Sequence, residues 1–235
     1  MDVALGRSML IVFDLDGTLV DTLEDLAVAA SLLAVEYGGR PLEPARVARM
    51  VGEGASVLVE RVLATAGLGE PPAGALARFT EIYERVMYDH TAAYPGVPEL
   101  LRSLSATHVL GLLTNKPARA ATATLEHCNV ATHFEHRVFG DGGLPRKPDP
   151  AGLRWLMQQH QASAGHTLMV GDSLVDVETA RRGGVRICLA RYGFGFDGIP
   201  AGALRGDEAW IDQPLELLAL VSPGAAACPP ERRGG

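Results

Sequence analysis

Two aspartates separated by a single residue follow the first apolar run of the chain. Asp14 and Asp16 come directly after Met9–Phe13, in the sequence DLDGT. An apolar run that ends in carboxylates is typical of a buried parallel strand, which presents polar groups at one edge of its sheet. Paired carboxylates at such an edge can transfer protons or bind a cation. Two carboxylates in an ordinary turn would produce the same pattern, so this pair needs support from elsewhere in the chain.

Polar residues also stand where later elements begin. Thr114 and Asn115 follow the apolar run Val109–Leu113, and their hydroxyl and backbone N–H groups would suit phosphate oxygens at a strand-to-helix junction. Lys147 lies just before a helix predicted to begin at Pro150, where an ammonium could neutralise phosphate charge. Taken singly, an ordinary helix start and a solvent-facing lysine explain these residues equally well.

A second pair of aspartates completes the pattern. Asp172 and Asp176, in the sequence GDSLVD, follow the apolar run Leu168–Val170. Alone, they could be a helix cap and an acidic first turn. The four groups nevertheless occur in the order acidic pair, threonine, lysine, acidic pair, and four unrelated accidents would be needed to produce it. The sequence therefore favours one site built from all four groups.

The elements that must position these residues follow two patterns. From Tyr94 onward, apolar runs alternate with segments of helical periodicity, which predicts an α/β fold with a doubly wound parallel sheet and active residues at the carboxyl ends of its strands. The predicted strands are Met9–Leu15, Val109–Thr114, a short one near Val138, Thr167–Val170, Arg186–Ala190 and Ala209–Ile211. The predicted helices of this part are Pro98–Leu104, Ala118–Cys128, Pro150–Gln159, Leu174–Arg182 and Leu215–Val221.

Residues 21–92 show helical periodicity only. A helix from Leu23 ends at Gly38-Gly39, and three more are predicted at Pro44–Met50, Ala55–Ala66 and Pro72–Asp89. We interpret this segment as an all-helical cap inserted after the first strand, with hinges near Val20-Asp21 and Ala92–Tyr94. The predicted domains are thus an α/β core of residues 1–20 and 93–221, a cap of residues 21–92, and a disordered tail of residues 222–235 that is rich in Pro, Gly and Ala.

Composition excludes several classes of function. The 235 residues are 47% hydrophobic, enough for a sizeable core, and the net charge of -7 argues against a nucleic-acid partner. Three cysteines without CxxC spacing suggest neither a disulfide framework nor a zinc site, which fits a reducing, cytoplasmic location. The first apolar run is too short to span a membrane. A small phosphorylated metabolite is the expected partner, and the chain is expected to be a monomer or a homodimer.

The order and context of these motifs resemble the haloacid dehalogenase-like hydrolases over nearly the whole chain. The resemblance implies a Rossmann-like core and an aspartyl-phosphate formed on Asp14, which water then hydrolyses. It makes Asp16 the general acid for the leaving oxygen and then the base for water. Thr114, Asn115 and Lys147 would hold the transferred phosphoryl group.

The same resemblance implies a magnesium ion. Its ligands would be the carboxylates of Asp14 and Asp172 and the backbone carbonyl of Asp16, with Asp176 in support through water or hydrogen bonds. The function that follows is magnesium-dependent hydrolysis of phosphate monoesters.

Three shorter segments resemble bacterial phosphoglycolate phosphatases more narrowly. They are VGEGA followed by VLVER from Val51, LTNKP from Leu113, and Tyr192-Gly193. This resemblance implies 2-phosphoglycolate as the substrate, with the backbone N–H groups around Gly52 and Gly54 free to approach a small anion, although a plain helix-to-helix turn would also use glycine. An anionic leaving group would also need a cation, for which Arg61 and Lys116 are candidates.

Other interpretations stay open at this point. A sugar-phosphate phosphatase or phosphomutase of the same superfamily would share all four motifs and a helical cap. A phospho-accepting receiver domain also uses Asp, Thr and Lys on a doubly wound sheet, but it would be shorter and would lack the inserted helices. Residues 193–198 match GxGxxG, yet no amphipathic helix follows them, so a dinucleotide site is not expected there and the loop could instead border the active site.

Overall fold

The computed structural model describes residues 9–222, which contain eight strands and nine α-helices. The strands are β1 (Leu10–Phe13), β2 (Val20–Asp21), β3 (Ala92–Ala93), β4 (Val109–Leu113), β5 (His136–Val138), β6 (Thr167–Gly171), β7 (Arg186–Ala190) and β8 (Ala209–Ile211). The helices are α1 (Leu23–Glu36), α2 (Pro44–Ala48), α3 (Ala55–Thr65), α4 (Ala75–Val86), α5 (Val97–Ser105), α6 (Ala118–His127), α7 (Ala151–Gln159), α8 (Leu174–Gly183) and α9 (Leu217–Val221).

Six strands form one parallel sheet in the order β5-β4-β1-β6-β7-β8. The first strand of the chain is central, and the order runs outward from it in both directions, which is the doubly wound arrangement that the alternating pattern predicts. The predicted and observed strand ends agree to within two residues. This confirms the predicted fold class.

Helices cover both faces of the sheet because successive strand residues point to opposite sides. Ile11 and Phe13 belong to one apolar cluster, which includes residues of α5, α6 and α9. Leu10 and Val12 belong to a second cluster, which includes residues of α7 and α8. Burial on both faces explains why β1 reads as a continuous apolar run rather than an alternating one.

The helices α1 to α4 have an apolar cluster of their own. α1 packs against the other three, and the buried side chains of this cluster include Leu33, Val62 and Phe79. The four helices thus bury their apolar faces mainly on one another.

The chain segments that lead into and out of these four helices pair with each other. β2 and β3 form a two-stranded antiparallel sheet, where the sequence predicted only hinges. The buried Asp25 carboxylate reinforces this junction, because it accepts hydrogen bonds from the backbone N–H of His90 at 3.0 Å and from the N–H and hydroxyl of Thr91 at 2.9 and 2.7 Å. Strands of two residues carry no detectable periodicity, which is why the sequence pattern could not reveal them.

Two further observations bear on the sequence predictions. No helix within residues 9–222 is long and apolar enough to cross a membrane. Residues 1–8 of the predicted core, the predicted tail from residue 223 onward and Cys228 lie outside the described residues.

Candidate active site

Three neighbouring strands end in predicted site residues. Thr114, Asp14 and Asp172 are the first residues after β4, β1 and β6, which lie side by side in the sheet. The Asp14 N–H donates to the Val170 carbonyl at 2.9 Å and the Thr114 N–H to the Val138 carbonyl at 3.0 Å, so sheet-like hydrogen bonding continues into the site. The parallel sheet therefore brings residues that are 158 positions apart in sequence to one edge.

Lys147 connects two of the predicted carboxylates. Its ammonium lies 2.8 Å from Asp14 Oδ1 and 2.7 Å from Asp176 Oδ1, and all three residues are buried. Asn115 fixes the backbone of Lys147, since Asn115 Oδ1 accepts the Lys147 N–H and Asn115 Nδ2 donates to the Lys147 carbonyl, both at 2.9 Å. Burial alone would lower the pKa of Lys147, but the two carboxylates raise this pKa above its usual value, so the ammonium stays charged.

Three buried aspartates form a group that could hold a metal ion. One carboxylate oxygen from each of Asp14, Asp172 and Asp176 lies within 4.8 Å of the others. Burial raises the pKa of Asp14 to about 7, although the attraction between its carboxylate and Lys147 acts to lower this pKa. Burial, followed by repulsion from the other two aspartates, raises the pKa of Asp172 well above its usual value. The three carboxylates lie close to one ammonium, that of Lys147, which contacts only Asp14 and Asp176, and this excess of negative oxygen donors fits a hard divalent cation such as Mg²⁺.

Asp176 differs from the other two aspartates because both of its oxygens are already engaged. Oδ1 accepts from Lys147, and Oδ2 accepts from the backbone N–H of Ser173 at 3.1 Å and from its hydroxyl at 2.6 Å. With Ser173 this forms the capping box of α8. These contacts suit a residue that holds its neighbours in place rather than one that contacts a cation directly.

Glycines surround the Asp172 carboxylate. The Gly195 N–H donates to Asp172 Oδ2 at 2.7 Å, and a Cβ atom added at Gly17 or Gly193 would lie 2.0 or 2.4 Å from atoms of the Asp172 side chain. The glycines of the GxGxxG match therefore allow a loop to approach a carboxylate, and Phe194 and Gly195 line the cavity of the site. The expected border position of this loop is observed, and its hydrogen bond to Asp172 is a feature that the sequence pattern does not show.

Gly17→Ala is expected to damage the site more than a matched change elsewhere. Gly17 has φ +85° and no room for a Cβ, whereas Gly38 has φ +83° and nothing within 4 Å of an added Cβ. Both alanine variants carry the strain of a positive φ, about 1 kcal/mol. Only the Gly17 variant displaces Asp172, so we expect it to lose about 2–4 kcal/mol of unfolding free energy and at least about a hundredfold in catalytic activity. Equal effects of Gly17→Ala and Gly38→Ala in urea unfolding and in activity would contradict this account.

Asp16 lies between two hydrogen-bond donors and next to the four helices. Its Oδ1 accepts from the Thr22 hydroxyl and from the Lys116 ammonium, both at 2.8 Å. Lys116 also donates to the Tyr83 hydroxyl at 2.8 Å, and its Nζ lies 4.9 Å from the centre of the Tyr83 ring. Burial acts to lower the pKa of Lys116, yet Asp16 and Tyr83 raise this pKa above its usual value. The sequence offered Lys116 as a candidate cation without an orientation, and it did not indicate Tyr83.

The loop before α3 contacts the edge of the sheet. Asn115 Nδ2 donates to the Gly52 carbonyl at 2.9 Å, and a Cβ added at Gly54 would lie 3.2 Å from the Asn115 carbonyl. Arg146 donates to the Ser56 hydroxyl at 2.8 Å and to the Gly140 carbonyl at 2.7 Å. The two predicted glycines are therefore brought to the site, with Arg146 as an unexpected second contact.

Arg61 takes a different position from Lys116. It forms an ion pair with Glu53 and donates to the Met50 carbonyl at 3.0 Å, within the helical segment. It is not among the residues that line the cavity of the site. Of the two candidate cations, the structure places Lys116 at the site and leaves Arg61 outside it.

The predicted residues surround one small cavity. Its lining combines the sheet edge with the four helices and includes Asp14, Asp16, Gly52, Gly54, Leu58, Phe79, Tyr83, Thr114, Asn115, Lys116, Asp172 and Gly195. Lys147 and Asp176 do not line the cavity, but they are connected to it because Lys147 forms ion pairs with both Asp14 and Asp176. The cavity volume is about 130 Å³, well below the ~300–1,000 Å³ typical of sites for drug-sized ligands. This size suits a substrate with few atoms.

Comparisons with known proteins agree with this geometry. A model of the haloacid dehalogenase-like hydrolases matches residues 11–190. The phosphoglycolate phosphatase of Rhodospirillum rubrum is 42% identical over 192 residues, which cover 78% of this chain and 80% of that protein. The phosphoglycolate phosphatase of Vibrio parahaemolyticus is 36% identical over 223 residues, 92% of this chain and 97% of that one.

A solved structure shows the same fold. The crystal structure of a predicted phosphoglycolate phosphatase from Haemophilus somnus superposes with a TM-score of 0.82 at 26% identity. The superposition covers 92% of this chain and 98% of that chain, so it includes the helices between β2 and β3 as well as the sheet.

Proposed function

Because the chain belongs to the haloacid dehalogenase-like hydrolases, we propose that it hydrolyses small phosphate monoesters through an aspartyl-phosphate, with 2-phosphoglycolate as the preferred substrate. The observation that carries this proposal is the buried contact of Asp14 with Lys147 at the end of the central strand, next to Asp16 and the small cavity. The phosphoglycolate phosphatases of 36–42% identity support the choice of substrate.

The chemical steps assign one task to each aspartate. A carboxylate oxygen of Asp14 attacks phosphorus, and the bond between phosphorus and the leaving oxygen breaks as Asp16 gives that oxygen a proton. A water molecule then attacks phosphorus and transfers a proton to Asp16, while the bond between phosphorus and the Asp14 oxygen breaks, so that inorganic phosphate leaves and both aspartates return to their starting states. Asp16 suits this task because Oδ1 is fixed by Thr22 and Lys116, while no hydrogen bond from residues 9–222 occupies its second oxygen, which can meet the substrate.

Three residues of the core would hold the transferred phosphoryl group. The Thr114 hydroxyl accepts the Lys116 N–H at 3.1 Å, which leaves its own proton for a phosphate oxygen. The Asn115 side chain is fully used on Gly52 and Lys147, so its backbone N–H is the group that would face phosphate. The Lys147 ammonium offsets the repulsion between the Asp14 carboxylate and a phosphate dianion.

The aspartate group is where we place Mg²⁺. The carboxylates of Asp14 and Asp172 and the backbone carbonyl of Asp16 would hold the ion, and Asp176 would support them through Lys147 and Ser173. Bound there, the ion would supply positive charge that stabilises the developing charge on the phosphoryl oxygens. Burial is the main cause of the raised pKa values of Asp14 and Asp172, with repulsion among the carboxylates adding to it, and a cation bound there would favour the ionised carboxylates.

We further propose that residues 21–92 act as a cap over a core of residues 1–20 and 93–221. Their separate apolar cluster and their position after β1 support this division. Contacts from Gly52 to Asn115 and from Tyr83 to Lys116 join the helices to the sheet edge around the cavity, and a cap held in this way would exclude bulk water and select the leaving group. A small phosphorylated metabolite, a cytoplasmic location and a monomeric or homodimeric state are the expectations that accompany this function.

Phosphate release from a panel of monoesters tests the substrate. We expect kcat/KM for 2-phosphoglycolate to exceed that for hexose phosphates by at least about a hundredfold, a difference of roughly 2.7 kcal/mol in transition-state binding, because a cavity of this size favours a leaving group with few atoms over a sugar ring. Equal catalysis on hexose phosphates, or formation of an isomerised sugar phosphate, would move the assignment to a sugar phosphatase or a phosphomutase.

A further inference from the structure

Lys116 and Tyr83 form a polar pair on the wall of the cavity, and their only part in the hydrolytic steps is the Lys116 contact that fixes Asp16 Oδ1. We infer that Lys116, oriented by Tyr83, binds the carboxylate of the leaving group and so separates carboxylate-bearing phosphate esters from neutral ones. This inference rests on the proposed function and deepens it, since it names the groups that would select the substrate.

Burial distinguishes Lys116 from the other cations near the site. Its side chain is 5% exposed, whereas that of Arg119, the other cationic side chain lining the cavity among residues 9–222, is 85% exposed and pairs with Glu84. Lys147 is already held by Asp14 and Asp176. Lys116 is therefore the buried cation that remains for a ligand in the cavity.

The hydrogen bonds of Lys116 leave room for one more partner. An ammonium has three donors, and within the described residues Lys116 uses two of them, on Asp16 and on the Tyr83 hydroxyl. Because Tyr83 accepts from Lys116, its own proton is also available. Lys116 and Tyr83 can thus offer two donors to one carboxylate, and such charge-assisted bonds are strong when water is excluded.

The same site already shows a lysine between two carboxylates. Lys147 contacts Asp14 at 2.8 Å and Asp176 at 2.7 Å. A substrate carboxylate at Lys116 would reproduce this arrangement, with Asp16 as the second partner. The position next to Asp16 matters because Asp16 is the residue proposed to meet the leaving oxygen.

Distances limit how large the leaving group can be. A leaving oxygen bound to the free oxygen of Asp16 lies at most about 8 Å from Lys116 Nζ, because the two hydrogen bonds and the width of the carboxylate set the upper limit. In glycolate the carboxylate oxygens lie about 3–4 Å from that leaving oxygen, so one more hydrogen bond completes the span. A two-carbon acid fits within this limit, whereas the neutral two-carbon diol would offer Lys116 only an uncharged hydroxyl, which is a weaker acceptor than a carboxylate.

Lys116→Met tests the inference with two substrates of the same carbon-chain length. The readout is the ratio of kcat/KM for 2-phosphoglycolate to that for 2-hydroxyethyl phosphate, in which an alcohol replaces the carboxylate. This ratio cancels any shared effect of Lys116 on Asp16. We expect it to fall at least about fiftyfold in Lys116→Met and about fivefold or more in Tyr83→Phe, whereas Arg119→Met should leave it within about twofold of the wild type.

Each other outcome has a definite meaning. A high wild-type ratio that persists in Lys116→Met would overturn the inference and leave the proposed function intact. A wild-type ratio near one would overturn the proposed substrate and the inference with it. Circular dichroism will show whether Lys116→Met folds. If it does not, Tyr83→Phe is the deciding variant, because it removes one hydroxyl and keeps the ring. An unchanged ratio in Tyr83→Phe would then contradict the inference.

Discussion

Asp14→Asn is expected to abolish phosphate release, with kcat at least about a thousandfold lower than in the wild type. An amide is a poor nucleophile, and the hydrolytic route needs a covalent bond between Asp14 and phosphorus. The substitution keeps the shape of the side chain, so Lys147 and Asp176 can retain their contact. Steady-state phosphate release would measure the loss, and mass spectrometry would exclude deamidation of the new asparagine.

The same variant should not be less stable than the wild type in the absence of metal. Asp14 has its pKa raised to about 7, mainly by burial, so its ionised form is unfavourable in the folded protein. Asp212→Asn is the matched control, because Asp212 is an exposed carboxylate paired with Arg191, and its loss should change neither activity nor stability appreciably. Phosphate release near the wild-type rate from a folded Asp14→Asn protein would refute the assignment of the nucleophile.

Removal of the metal should abolish activity, and the pH dependence of stability in the metal-free protein should show the cause. The pKa of Asp14 rises from an ordinary 3.8 to about 7 on folding. A raised folded pKa means that stability is fully present below about pH 4 and is lost as pH rises toward 7. For Asp14 alone the loss would approach about 4 kcal/mol in metal-free protein. Asp172 shifts in the same direction and adds to the effect.

Thermal unfolding between pH 4 and 8, with chelator or with Mg²⁺, measures this effect. We expect the melting temperature to fall with rising pH in excess chelator, and Mg²⁺ to remove most of that fall because a cation favours the ionised carboxylates. Activity should disappear in chelator and return with Mg²⁺, while Ca²⁺ should substitute poorly owing to its longer and looser coordination. Full activity in excess chelator, together with a flat stability profile, would exclude the proposed metal site.

Much of the site follows from sequence because parallel strands end at a common edge. Asp14, Thr114 and Asp172 could be placed together once their apolar runs were recognised as strands. The ion pair of Lys147 could not be derived in the same way. It depends on how the segment before α7 folds back over the sheet, and Asn115 fixes that segment through two hydrogen bonds.

Contacts between the helices and the sheet were the least predictable. Tyr83 lies in α4, and its side chain reads in sequence as one more apolar position of an amphipathic helix. Only the packing of α4 over the sheet edge brings its hydroxyl to Lys116. Similarly, the glycines at 193 and 195 satisfy a nucleotide-binding pattern, although their role here is to let the backbone approach Asp172.

The pairing of β2 with β3 affects how a chain with this fold can acquire a different helical segment between these two strands. Antiparallel partners such as Val20 and Ala93 have Cα atoms only about 5 Å apart, so the intervening segment leaves and re-enters the sheet region at nearly one point. A segment with adjacent ends can be exchanged for another without altering the register of the six-stranded sheet. Recombination at the β2–β3 pair would therefore join a new helical segment to the same six-stranded sheet. Such a change would alter the choice of substrate and leave the hydrolytic residues of the sheet edge unchanged.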